Sequence, residues 1–140
     1  MAGYSGTPLP QKLGIKPGLT VVTINAPTNY RRLLDKIPEG VTFSDRFKPD
    51  SSFIHVFIKK RSELETRLSA LREKMADTGT VWVSWPKRSS GVPSDVTEDV
   101  VRAVALPLGF VDVKVCAIDE TWSGLKLMVR RTNRTMPLRK

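Results

Sequence analysis

Residues 53–85 read FIHVFIKKRSELETRLSALREKMADTGTVWVSW, an apolar run, a helical stripe and a second apolar run in succession. The first run, 53–58, is apolar on both faces of an extended chain, and 81–85 has the same strand character. Between them Ser62 and Glu65 form a capping-box signature. Leu64, Leu68, Leu71 and Met75 fall at i, i+4, i+7 and i+11, the spacing of a helix with one face in a core, and Asp77-Thr78-Gly79 ends it. Strands alternating with helices imply a parallel sheet with right-handed crossovers.

The pattern continues in both directions. Upstream, TVVTIN at 20–25 follows a Lys16-Pro17-Gly18 turn and is nearly continuous in apolar residues, so it predicts a strand covered on both faces. A short helix is expected over 29–37, with Tyr30, Leu33, Leu34 and Ile37 on one side, and then a brief strand at 41–43. Only about seven to nine residues join that strand to the next. They reach roughly 25–30 Å when extended, enough for a crossover without a helix. Downstream, the loop PKRSSGVPS leads to a helix with Asp95 and Glu98 as its capping box and Val96, Val100, Val101, Val104 and Leu108 as its buried side. Pro107 and Gly109 stop it. Two strands follow, at 111–118 and 125–129, and the six-residue turn DETWSG between them is too short for anything but an antiparallel hairpin. The order β-α-β-β-α-β-α-β-β gives an α/β three-layer sandwich, with a mostly parallel six-stranded sheet closed by a C-terminal hairpin. We place one domain over 1–130, with an N-terminal strap at 1–12 and a basic tail at 131–140.

Composition agrees with one self-sufficient core. The 140 residues are 40% hydrophobic and 26% charged, and a chain near this length buries roughly 68–70% of its unfolded surface. No run approaches the roughly 20 apolar residues of a membrane span, and MAGYSGTPLPQKLG has no secretory pattern. The lone Cys116 cannot form an intramolecular disulfide, which fits a reducing cytoplasm. Cys116 reads as a small buried hydrophobe and the lone His55 as a hydrogen-bonded core imidazole. One of each, with no second ligand at metal-site spacing, argues against zinc. Of the net charge of +9, five charges come from Arg130, Arg131, Arg134, Arg139 and Lys140, so the rest of the chain carries +4. The tail reads as a solvated segment capable of weak, salt-sensitive contact with nucleic acid or another acidic surface. No aromatics are interleaved with its arginines for stacking.

Several stretches resemble known families. LGIKPGLTVVTI is similar to the entry to the first strand of class I S-adenosylmethionine-dependent methyltransferases, TGTVWVSWPK to their fifth strand, and VDVKVCAIDETWSGLKLMVRR to their closing strand pair. More closely, GYSGTPLPQKLGIKPG, VSWPKRSSGV, TEDVVR and DETWSGLK resemble a bacterial family, domain of unknown function 3052, over nearly the whole chain. The resemblance implies a Rossmann-like, methyltransferase-like fold, truncated by one βα unit, and carries no established activity. The chain departs from methyltransferases where their cofactor binds. That superfamily has an acid and a Gly-rich turn after the first strand, whereas here Thr23-Ile24-Asn25-Ala26-Pro27-Thr28-Asn29 has neither, and Pro27 removes an N–H. Asp45 is the acid available to hold a ribose in that role.

In open α/β sheets ligands bind at the carboxyl ends of the strands, near the switch in strand order. That edge should gather Asn25, Lys59, Lys60, Trp85, Lys87, Arg88, Asp119, Glu120 and Trp122: cations for an anion, indoles for a ring, carboxylates for a polar group. Trp122 is expected in the turn. Ser89 and Ser90 lack a GxSxG elbow, no Walker motif occurs, and adjacent Asp119 and Glu120 do not form an acid–base pair. The expectation is a non-catalytic module that binds a small anionic or nucleotide-like ligand, or a protein partner, without a resident cofactor. Two alternatives stand beside it. One is a divergent methyltransferase holding S-adenosylmethionine through Asn25 and Asp45. The other is a nucleic-acid accessory protein acting through its tail.

Overall fold

The computed structural model describes residues 7–133, and its architecture follows from how β-strand alternation divides the apolar residues. Strands β1 (Thr20–Ile24), β2 (Thr42–Ser44), β3 (Phe53–Phe57), β4 (Thr80–Pro86), β5 (Phe110–Ala117) and β6 (Trp122–Val129) form one sheet in the order β2-β1-β3-β4-β6-β5. The first four strands of that order are mutually parallel, and β6 runs antiparallel to both β4 and β5. Successive side chains point to opposite faces. Val22, Ile24, Ile54, Val56, Val81 and Val83 therefore share one face with Leu64, Leu68 and Leu71 of α3 (Arg61–Lys74) and Val101 and Val104 of α4 (Glu98–Ala105). Val21, Phe53, Phe57 and Trp82 share the other with Leu13 of α1 (Leu9–Leu13) and Tyr30 and Leu34 of α2 (Tyr30–Leu34). Every residue of β3 is buried, as expected for a central strand covered on both sides.

The hairpin ends the sheet without closing it. β5 is an open edge that exposes Val113 and Val115, with a register shift between Asp112 and Lys114. Such an irregularity blunts an edge against pairing with another chain. The crossover from β2 to β3, residues 45–52, contains no helix. It packs Phe47 against the α3 side of the core, and the Asp50 N–H donates to the Lys74 carbonyl (2.8 Å) at the end of α3. No helix among the described residues is long and apolar enough to cross a membrane.

Local details correct the sequence reading. α3 begins at Arg61, so Ser62 lies inside it and makes no cap. The backbone N–H of Arg61 is instead satisfied by Asp95 Oδ1 (2.7 Å), from a loop 34 residues away. Asp95 is thereby diverted from α4, whose cap is Thr97, its Oγ1 accepting from the Val100 N–H (3.2 Å). α2 stops at Leu34, three residues short of the expected Ile37, because Asp35 turns to a positive φ of 63°. Trp122 is the first residue of β6, paired with Pro86, so the connection shrinks to residues 118–121. Asp119 Oδ1 closes it by accepting from the N–H groups of Thr121 (2.8 Å) and Trp122 (2.7 Å). Residues 1–6 of the expected strap lie outside the described residues, and its remainder carries most of α1, whose last residue Leu13 is fully buried and accepts the Trp82 indole N–H (2.9 Å) at its carbonyl. Most of the basic tail lies outside the described residues. Arg130 and Arg131 are described and exposed.

Candidate functional site

The strand order switches at β1. The chain leaves β1 for α2 on one face of the sheet and leaves β3 for α3 on the other, and β1 and β3 are neighbours. Their diverging exits leave a crevice at the carboxyl edge. A cleft of about 590 Å³ occupies it, lined by Asn25, Pro27, Phe57, Lys59, Lys60, Glu63 and Trp122. That volume lies in the usual range for small-ligand sites.

Asn25 fixes one wall. It is exposed and holds a left-handed φ of 60°, a conformation asparagine tolerates better than most side chains. Its side-chain amide donates to Glu63 Oε2 (3.0 Å) and more weakly to the Phe57 carbonyl (3.4 Å), tying the exit of β1 to β3 and to the first turn of α3. The aromatic wall is built from inside the core. Trp122 meets Phe57 edge to face with ring centroids 4.9 Å apart, and Phe57 stacks on His55 at 4.4 Å. His55 is held on both nitrogens, Nδ1 to Tyr30 Oη (2.8 Å) and Nε2 to Ser84 Oγ (2.7 Å). Burial lowers its pKa to about 3 and pushes the Tyr30 phenol above its ordinary range, so both are neutral. The imidazole is thus a satisfied core group, positioning Phe57 from behind.

The open rim is cationic. Lys59 and Lys60 are exposed, and neither makes an ion pair among the described residues. The Trp122 indole N–H makes no hydrogen bond there either, unlike that of Trp82.

Of the residues expected at this edge, Asn25, Lys59, Lys60 and Trp122 come together in the first cleft. Trp85, Lys87 and Arg88 line a second, of about 490 Å³, between the end of β4, the loop after it and the start of α4. Trp85 contributes mainly to the core there, being 6% exposed. Asp119 is committed to its own turn, and exposed Glu120 and Asp45 line neither cleft. Sequence reasoning missed Phe57, Pro27 and Glu63. Phe57 was legible only as a core residue, and Glu63 only as a helix-start acid. Cys116 is partly buried, and burial raises its thiol pKa. Among the described residues no three histidines, cysteines or acids cluster as metal ligands would.

No family model and no curated protein matches this chain by sequence. Solved structures do match. An S-adenosylmethionine-dependent methyltransferase from Aquifex aeolicus superposes with a TM-score of 0.62 at 15% identity, covering 85% of this chain and 86% of that one. A Sulfolobus solfataricus protein described as a type 11 methyltransferase gives 0.61 at 14%, covering 91% and 92%. A Streptococcus agalactiae protein of the NAD-binding Rossmann superfamily gives 0.53 at 11%, covering 96% and 73%. At these identities the likeness establishes the fold, a Rossmann-like α/β sandwich of the methyltransferase type, and not an activity.

Proposed function

We propose that this chain is a binding module for a nucleotide-like ligand, a flat ring carrying an anionic group, seated in the cleft between the exits of β1 and β3. One observation carries the reading: the fold brings the partly exposed Trp122, backed by Phe57, beside two cations without ion-pair partners. A ring can lie against the indole while Lys59 and Lys60 hold the charge. The lining offers no nucleophile paired with a base. Ser84 and His55 are buried, and Cys116 lies outside the cleft. The aromatic and cationic lining supports binding. Membership of the bacterial domain of unknown function 3052 family, proposed on the stretches quoted above, is compatible with this reading.

S-adenosylmethionine is the cofactor named for the Aquifex aeolicus neighbour. The residues here do not suit it in the manner of a Gly-rich turn at a helix N-terminus. Pro27 lacks an N–H, the Asn25 amide is already engaged by Glu63, α2 has only five residues, and Asp45 stands outside the cleft. The methyltransferase reading keeps the fold likeness in its favour and has the lining against it.

The test is a titration of the purified chain with AMP and, separately, with S-adenosylmethionine, followed by calorimetry and tryptophan fluorescence. Base stacking on an aromatic is worth about 1–3 kcal/mol, so Trp122→Ala should weaken AMP at least about fivefold. Saturable S-adenosylmethionine binding with no response to AMP would replace this proposal with the methyltransferase reading. Silence from both would remove the cleft as a nucleotide site.

A further inference from the structure

The cleft at the β1–β3 switch accounts for only half of the basic edge. Pro86 pairs with Trp122 across β4 and β6, and the Lys87 N–H donates to the Thr121 carbonyl (2.7 Å), so the second cleft begins beside the aromatic wall of the first. On the other side, the Lys59 carbonyl accepts from Ser94 Oγ (2.8 Å) and from the Asp95 N–H (3.2 Å), which pins the loop bounding the second cleft to the rim of the first.

The charges along this double cleft are unequally committed. Glu98 is ion-paired with Arg102, whereas Glu63 and Asp95 accept hydrogen bonds from neutral donors, the Asn25 amide and the Arg61 N–H, which fix their positions and leave their charges in place. Lys59, Lys60, Lys87 and Arg88 have no ion-pair partner among the described residues. The aromatic surface lies in the first cleft alone, since Trp85 is buried beneath the second. One ring seat is thus followed by cations that continue around the strand ends into a second cavity without a ring seat of its own. A mononucleotide concentrates its charge beside its ring. A chain of nucleotides repeats the charge at each step, and proteins that bind single strands combine stacking aromatics with such a cationic track.

Building on the nucleotide reading of the first cleft, we infer that its ligand is a single-stranded oligonucleotide, with one base on Trp122 and the backbone continuing past Lys87 and Arg88. The experiment uses the full chain, AMP, and fluorescein-labelled tetra-adenylates in ribo and deoxyribo forms, with anisotropy read across a salt series. A tetranucleotide of either sugar should bind at least tenfold tighter than AMP in low salt. Each phosphate contact on a single strand contributes about −0.7 to the slope of log affinity against log salt. The double variant Lys87→Ala/Arg88→Ala should therefore flatten the slope by about 1.4 while leaving AMP affinity unchanged. Tetranucleotides no tighter than AMP, or a double variant with unaltered slope, would overturn the inference and leave the first-cleft reading standing. A slope abolished by removing residues 131–140, but not by the double variant, would also overturn it by moving the contact to the tail. Failure of AMP and tetranucleotides alike would remove both readings.

Discussion

His55 should make the stability of this protein depend on pH in the range where histidine titrates. It is the only histidine in the chain, and histidine is the residue whose ordinary pKa lies between 5 and 8. In the native state it is fully buried between Tyr30 and Ser84, with its pKa lowered from 6.5 to about 3. Between those values the unfolded chain binds a proton that the native state rejects, so lowering the pH favours unfolding and stability rises with pH. The sensitivity approaches about 1.36 kcal/mol per pH unit once the unfolded histidine is fully protonated. From pH 7.5 to 5.0 the integrated loss is about 2 kcal/mol, a large share of the roughly 5–15 kcal/mol that holds a typical domain together. With a urea m-value of about 1–3 kcal/mol per M, the midpoint should fall by about 1 M. The control is His55→Gln, whose amide can still face both hydroxyls but does not titrate. It should be less stable at pH 7.5 and nearly flat down to pH 5. A wild-type midpoint that does not move over this range, or a variant that moves as much as the wild type, would refute a neutral, buried His55.

Other expectations follow from single contacts. Asp95→Ala removes the cap on Arg61 from across the loop and should lower stability by about 1 kcal/mol in urea unfolding, whereas Ser62→Ala should change it by less than about 0.5 kcal/mol. Gly79→Ala should destabilise by about 1–3 kcal/mol in the same assay, because a Cβ there would stand 3.0 Å from the carbonyl oxygens of both Ala76 and Ser52. Trp82→Phe leaves the Leu13 carbonyl without its indole donor and should cost about 1–3 kcal/mol, measured by thermal unfolding. Burial raises the Cys116 thiol pKa, so iodoacetamide should alkylate it at pH 7.5 more slowly than it does free cysteine, and mass spectrometry gives the rate.

The patterns in the chain were sufficient to specify the six strands, α2, α3 and α4, and the two-sided burial of the central strands, but not α1. The nearly continuous apolar runs TVVTI and FIHVF, and the Leu64–Leu68–Leu71 stripe, depend only on how side chains project from a strand or a helix. Chain reach left room for a helix-free crossover in the short link from β2 to β3, and the short link before β6 required an antiparallel hairpin. The edge residues were legible as a set for the same reason: each lies at or just beyond the edge of the sheet where the parallel strands end. What the sequence left open was how that set divides and which side chains pair across it. Asn25 engages Glu63 at a separation of 38 residues, and Asp95 caps Arg61 at 34. Such pairs arise from strand register and loop packing, which no local spacing encodes. The tertiary structure therefore decided that Asp95 serves α3 rather than α4, that Trp122 belongs to β6 and stands against Phe57, and that Lys59 and Lys87 open onto two adjoining clefts.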